Sequence, residues 1–301
     1  MRTCWTVLVL ASACACAAAA RAEENPLLEI LTRRGVAMSD GTSVRLPAPT
    51  LSSDMDDAAR QTAIAAVAGK GRSADDLLRK SLQAPFVLNV RTLKTNETTR
   101  AAVRAVDLYF VAHGDWKTAN SNDFLEGLWK STKETSPDVA ETKAGELKPE
   151  QWAGRNVKRL AAAGGDERFV YTVSPLLEKV ELSAVVRTVV ARSADATVIA
   201  QQIVPEFTGD AEYPNQWRPL TLETDGSFQR GPAQPYQATA SYGRATRLAV
   251  PAGAIFFEYH LIYEEPEGWF GGVNVVKQRL PLVVQDQLVK FRRRLTAASP
   301  K

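Results

Sequence analysis

Apolar residues recur along this chain with two periods, and each period predicts its own elements. Alternation at every second position marks strands. It is clearest where Val106, Leu108, Phe110 and Ala112 share one face, and where Val180, Leu182, Ala184, Val186 and Val190 share another. The pattern predicts strands over 86–93, 103–113, 169–173, 180–191, 198–207, 220–223, 238–248 and 255–263, with turns at 193–196 and at Asp225-Gly226. The helical period is clearest near the end of the sequence. Val284, Leu288, Phe291 and Leu295 repeat at spacings of 4, 3 and 4, which predicts a helix over 282–295 with one apolar stripe.

Earlier helices are announced by their start signals. Pro26 opens a short one that ends before Gly35, and Asp40-Gly41 then marks a hairpin turn. Ser53 with Asp56, and Ser73 with Asp76, each place a hydroxyl N-cap three residues before an acid, predicting helices over 53–68 and 73–82. Further helices are predicted over 122–131 and from Pro149. The glycines at 69 and 71 imitate a dinucleotide fingerprint, but that motif must follow a strand and these follow a helix.

Runs of strands joined by short turns, set apart from helical runs, predict an α+β fold. Its antiparallel, β-rich sheet or sheets would carry the helices on one face, with the C-terminal amphipathic helix docked there. The polar stretch 133–149 reads as an insertion or linker within one domain over 23–301; two domains meeting there is the alternative.

Composition changes the picture mainly at the N-terminus. Arg2 is followed by an apolar, increasingly Ala-rich run from Cys4 to Ala20, and charge returns at Arg21, Glu23 and Glu24. Small residues stand at −3 and −1 for cleavage after Ala20 or after Ala22, the order of a secretory signal peptide over 1–22. Cys4, Cys14 and Cys16, the chain's 3 cysteines, all lie inside this leader, so an exported mature chain would be cysteine-free. Its destination would be the periplasm or the exterior, and a lipoprotein anchored at Cys14 or Cys16 is the alternative. Against the anchor, Ala11 and Ala13 stand where a bulky residue is wanted three places earlier. No second apolar run reaches the roughly 20 residues of a membrane span. Without Arg2 and Arg21, the 37 basic residues nearly balance the 34 acidic ones, which gives no general attraction for nucleic acid.

Candidate chemistry is sparse. Each of the chain's 2 histidines stands two residues from a carboxylate, His113 before Asp115 and His260 after Glu258. Residues i and i+2 of a strand share a face about 6.5–7 Å apart. Two such pairs on neighbouring strands could supply catalytic acid/base groups or ligands for a divalent metal through His113 and His260. No compact zinc motif and no nucleophile elbow accompanies them, so no cofactor is predicted. Trp217 and Trp269, the latter near Glu265, lie in aromatic, proline- or glycine-rich stretches. Such residues bind glycans when exposed and fill a core when buried. Lys290 and Arg292 to Arg294 give the last helix a basic end, which either complements its dipole or meets an anionic polymer.

These features lead to an exported, non-catalytic binding or scaffolding protein of the bacterial cell envelope, with an envelope component or glycan as partner. The alternative is a metal-dependent or acid/base hydrolase of glycans or esters.

Overall fold

The computed structural model describes residues 25–69, 73–95, 101–121, 124, 143–160, 166–176, 179–269 and 275–298. The leader over 1–22, most of the helix expected over 122–131, and 133–142 of the polar stretch lie outside them.

The described chain opens with a single helical turn, α1 (Pro26–Glu29). The Asn25 side chain caps it, accepting from the amides of Leu27 and Leu28 while its own amide donates to the Val189 carbonyl. The helix widens over Ile30–Arg34 and stops at Gly35, whose φ of +88° and close approach to Ser43 and Val44 leave no room for a side chain. A small hairpin follows, β1 (Val36–Ala37) with β2 (Ser43–Val44), turning through Asp40-Gly41 as predicted. Two helices come next, α2 (Asp57–Ala68) and α3 (Ala74–Leu78). Ser73 and Asp76 form the expected capping box on α3. For α2, however, the cap is Asp56 itself, which accepts from the Ala59 amide at 2.7 Å and so starts the helix later than Ser53.

The main sheet takes in β3 (Phe86–Thr95), β4 (Ala102–His113), β5 (Lys143–Glu146), β6 (Asp166–Leu176), β7 (Val180–Arg192) and β8 (Ala196–Ile203). It continues with β9 (Gln216–Leu222), β10 (Phe228–Arg230), β11 (Gln234–Pro235), β12 (Thr239–Arg247) and β13 (Ala254–Glu265). Every pairing is antiparallel, and the long path runs β5-β6-β7-β8-β12-β13-β4-β3. Strands from both sides of the polar stretch thus join one sheet. Along one edge, β7 pairs with β6 for its whole length. The other edge is divided between β9, opposite 180–183, and β8, opposite 186–192. The strand expected over 198–207 ends at Ile203, because Pro205 has no N–H to give the ladder and begins a 3-10 turn.

Helices cover both faces, not the one face expected. On the first face lies α6 (Val275–Ala298), which begins earlier than predicted and runs through Pro281. Its residues Val284, Leu288, Phe291 and Leu295 pack with Val106, Phe110 and Ala112 of β4 and with Val180, Leu182, Ala184 and Val186 of β7. Both alternating strand faces therefore meet the one helical stripe. Gly114 lets α6 come close, since a Cβ there would stand 2.5 Å from the Leu295 side chain. The second face is covered by the N-terminal turn, the first hairpin, α2 and α3, with Leu27, Leu31 and Leu46 against one part and Leu51, Ile64 and Leu77 against another. A short helix, α4 (Trp116–Ala119), follows β4, and α5 (Pro149–Ala153) brings Trp152 onto Phe169 of β6.

Arg292 fastens α6 to the sheet rather than offering charge to a polymer. It is buried, and its guanidinium donates to the carbonyls of Val111, Leu82, Ala84 and Pro85 while lying 5.9 Å from the Phe110 ring centroid. Lys290 pairs with Asp286 at 2.7 Å on the surface. Arg292→Met would strand those carbonyls and is expected to cost about 3 kcal/mol in urea unfolding. Arg293→Met, on the exposed side, should stay within about 0.5 kcal/mol.

Candidate functional site

The second face of the sheet carries an ionic chain inside an otherwise apolar layer. In an antiparallel ladder, directly opposed residues share a face. His260 of β13 stands between Tyr242 of β12 and Asp107 of β4, and Glu258 stands between Arg244 and Tyr109. The His260 Nδ1 lies 2.7 Å from Asp107 Oδ1, and its Nε2 lies 3.4 Å from Glu258 Oε2. From β3, the Arg91 Nη2 donates to the other Asp107 oxygen at 2.7 Å. The result is a line of alternating charge: guanidinium, carboxylate, imidazole, carboxylate.

Exposure falls steeply along it. The Arg91 side chain is 55% exposed, Asp107 7%, His260 1% and Glu258 0%. Two tyrosine rings close around the imidazole, Tyr242 at 4.8 Å and Tyr109 edge-on at 5.3 Å between centroids. A segment over 45–50 lies across the top. It is tied down by the Leu46 amide on the Leu31 carbonyl, by the Tyr242 hydroxyl on the Pro47 carbonyl, and by the Thr50 amide on Glu258 Oε2 at 2.8 Å. Glu258 Oε1 is buried with no hydrogen-bond partner among the described residues.

This surrounding sets the protonation states. Burial alone would push the His260 imidazole down, but its hydrogen bonds and charge contacts with Asp107 and Glu258 outweigh that and hold it above its usual 6.5. Burial would likewise raise Asp107, yet the imidazole and the Arg91 guanidinium keep it below 3.8. Burial, and then the two carboxylates, push the Tyr109 hydroxyl up to about 12, so it stays neutral. With Nδ1 on Asp107 and Nε2 facing Glu258, both ring nitrogens are engaged by carboxylates, an arrangement that favours the protonated ring.

Of the sequence-predicted candidates, His260 and Glu258 stand together in this ionic chain, while His113, Asp115, Glu265 and the two tryptophans lie elsewhere. His113 faces the same side of the sheet but stands opposite Ala254, whereas His260 stands opposite Asp107. Six residues of strand, about 20 Å, separate them. The His113 Nε2 meets the Leu78 carbonyl at 2.8 Å, and burial pushes its ring towards the neutral form. Asp115 caps α4, accepting from the Thr118 amide at 2.7 Å. Among the described residues no group of three His, Cys, Asp or Glu side chains is disposed to hold a metal ion. The indoles of Trp217 and Trp269 belong to the core of the first face, 4% and 2% exposed, with ring centroids 5.9 Å apart. That arrangement turns neither ring to solvent for a sugar. Glu265 forms an ion pair with Arg104 at 2.7 Å.

Asp107 and Arg91 escaped the sequence reading. The available signal was a carboxylate inside the apolar run of 103–113, on the face opposite the alternating Val, Leu and Phe, where an unpaired charge is seldom tolerated.

Where the ionic chain reaches solvent there is a half-open recess of about 240 Å³, lined by the segment at Arg45 to Pro47, by Arg91 and Leu93 of β3, by Asp107 of β4, and by Ile262 of β13. Among the described residues, this recess brings solvent to the exposed end of the chain, while the imidazole itself is buried.

The ionic chain predicts a pH signature. A histidine raised in the folded state stabilises fully below its unfolded value near 6.5 and loses that contribution as pH rises through the folded value. A depressed aspartate does the reverse, contributing above 3.8 and failing as pH falls through its folded value. Stability from the pair should therefore peak between these two reference values and decline towards alkaline pH. His260→Gln should remove the alkaline decline from denaturant midpoints measured at pH 6 and pH 9. Asp107→Asn, which leaves a buried imidazole short of its anion, should cost about 3–5 kcal/mol.

Comparison with known proteins adds resemblance without assignment. No family model matches the chain, and neither does any curated sequence. Among solved structures it is similar to human STARD10, with a TM-score of 0.36 and 11% identity, over 76% of this chain and 84% of that one. It is also similar to the lipid transfer and protein localization domain of human StarD13 (DLC2), with a TM-score of 0.34 and 8% identity, covering 70% and 89% respectively. A protein from Rhizobium leguminosarum gives a TM-score of 0.25 and 10% identity, covering 64% and 98%. At scores and identities this low the similarities assign neither fold family nor function.

Proposed function

We propose that this chain is an exported protein of the bacterial cell envelope that binds its ligand without transforming it, and that the ligand sits in the recess at Arg45 and Arg91. The observation that carries this reading is the exposure gradient along the ionic chain. A charged group meets solvent at Arg91, while His260 and Glu258, the acid/base candidates of this ionic chain, are closed off behind Asp107. A general base must come within hydrogen-bonding reach of the proton it takes. His260, with both nitrogens engaged and two tyrosine rings around it, has no such reach. The recess keeps access to solvent and keeps its shape, because its roof is bonded to Glu258, Tyr242 and Leu31.

Export rests on the charge, apolar run and small-residue order of 1–22, and on the confinement of all cysteines to that leader. No helix among the described residues is long and apolar enough to cross a membrane. The N-terminus of the protein recovered from a periplasmic fraction should be Arg21 or Glu23. An intact Met1 there would overturn cleavage.

Binding without turnover is tested by hydrogen exchange on the purified protein with an extract of envelope lipids and glycans. Amides over 45–50 and 89–93 should exchange more slowly, while chromogenic esters and glycosides remain uncleaved. Turnover that disappears in His260→Gln would overturn the reading in favour of a hydrolase.

A further inference from the structure

The recess also carries information about what kind of molecule it takes. Both Asp107 oxygens are already occupied, Oδ1 by the His260 imidazole and Oδ2 by the Arg91 guanidinium. The only carboxylate in the lining is therefore already shared between a guanidinium and an imidazole, which weakens its pull on a ligand cation. Donors, by contrast, are in surplus. A guanidinium has five N–H donors, and Arg91 directs only one nitrogen at Asp107 while more than half its side chain is exposed. Arg45 lines the same recess, is exposed, and has no carboxylate within ion-pairing distance among the described residues. The deeper charges do not reverse this bias. Glu258 is contacted by the His260 Nε2 and by the Thr50 amide and is fully buried, so it presents no oxygen to a ligand in the recess.

The rest of the lining is apolar. Leu46, Pro47, Ala105 and Ile262 form the walls, and Leu93 stands at the rim 41% exposed. A volume of about 240 Å³ is below the roughly 300–1,000 Å³ of pockets that enclose a drug-sized ligand. The recess suits one end of a molecule rather than the whole of it.

We propose that the recess binds a small amphiphilic anion, a phosphate or carboxylate on a short apolar chain, with Arg45 and Arg91 holding the charge and the exposed Leu93 and Pro47 holding the chain. This rests on the binding reading above and names its ligand class. Paired guanidiniums fit phosphate and carboxylate oxygens with two parallel hydrogen bonds each, which gives direction as well as attraction.

Octyl phosphate, octyl glucoside and inorganic phosphate, titrated calorimetrically into the full chain, test it. Octyl phosphate should bind at least roughly tenfold more tightly than either other compound, because only it offers both charge and chain. Arg45→Ala should weaken octyl phosphate by roughly tenfold with an unchanged unfolding temperature, since Arg45 has no internal partner to lose; Arg45→Lys should lose less. Equal binding of octyl glucoside would overturn the anionic class, and equal binding of inorganic phosphate would overturn the amphiphile. Sedimentation with phosphatidylglycerol vesicles in place of octyl phosphate binding would assign the arginines to a bilayer surface and overturn the recess as a site for single molecules. If no compound binds but the envelope extract still protects 45–50, the ligand class falls and the binding reading survives. If neither acts, both fall.

Discussion

Burying an imidazole between two carboxylates constrains everything built around it. Each of these ions would cost several kcal/mol if buried alone, and their attraction offsets that only when the geometry is close and the remaining hydrogen-bonding positions are filled. Asp107 must therefore be directly opposite His260 on the next strand, and Arg91 must reach the second oxygen from beyond it. A shift of one residue in the β4–β13 register would send Asp107 to the apolar first face while His260 stayed on the second. The network thus specifies register as well as charge, and the β12–β13–β4 ladders are where a slip would be most costly.

The same constraint explains the segment over 45–50. A sheet face holding ions could be left open to water, but here it is roofed by backbone whose polar groups need partners. The Thr50 amide and the Pro47 carbonyl find them in Glu258 and Tyr242, and Leu46 finds the Leu31 carbonyl. Roof and ions satisfy each other. Leu46 also enters the apolar cluster that binds the N-terminal turn to β8 and β12, so the roof is anchored by burial outside the charged region. Rigidity at the recess follows from this double attachment.

Much of the framework was legible because it depends on period alone. Val106, Phe110, Ala112 and the β7 series alternate, the α6 stripe repeats at helical spacing, and these apolar sets do meet in one cluster. Features that depend on partners distant in sequence were not legible. Trp217 sits between prolines and reads as loop, yet it is a strand residue opposite Leu182, because β9 takes only the first four positions along one edge of β7. The last helix, expected from 282, begins at Val275 and contains Pro281. The cover of the second face could not be read from short helices with weak stripes, whose burial is set by the sheet they land on. For the ionic chain, the Glu258–His260 pair was visible as an i, i+2 spacing. Its proper partner lay 153 residues away, across a pairing that no local pattern announces.

The two faces of the sheet divide the work between them. On the first, α6 and the aromatic cluster of Trp217, Tyr236 and Trp269 fill the space with side chains, and even Arg292 is consumed in capping carbonyls. Close packing of this kind stabilises the sheet against the helix. On the second face the packing is interrupted by groups whose charges must be matched, and matching them requires a route by which one charge stays in water. Arg91 is that route. A solvated guanidinium at the end of a buried chain keeps the net cost of burial down, and it also leaves unsatisfied donors at the surface beside Arg45. The proposed anion site would then be a by-product of how this fold tolerates the ions in its interior.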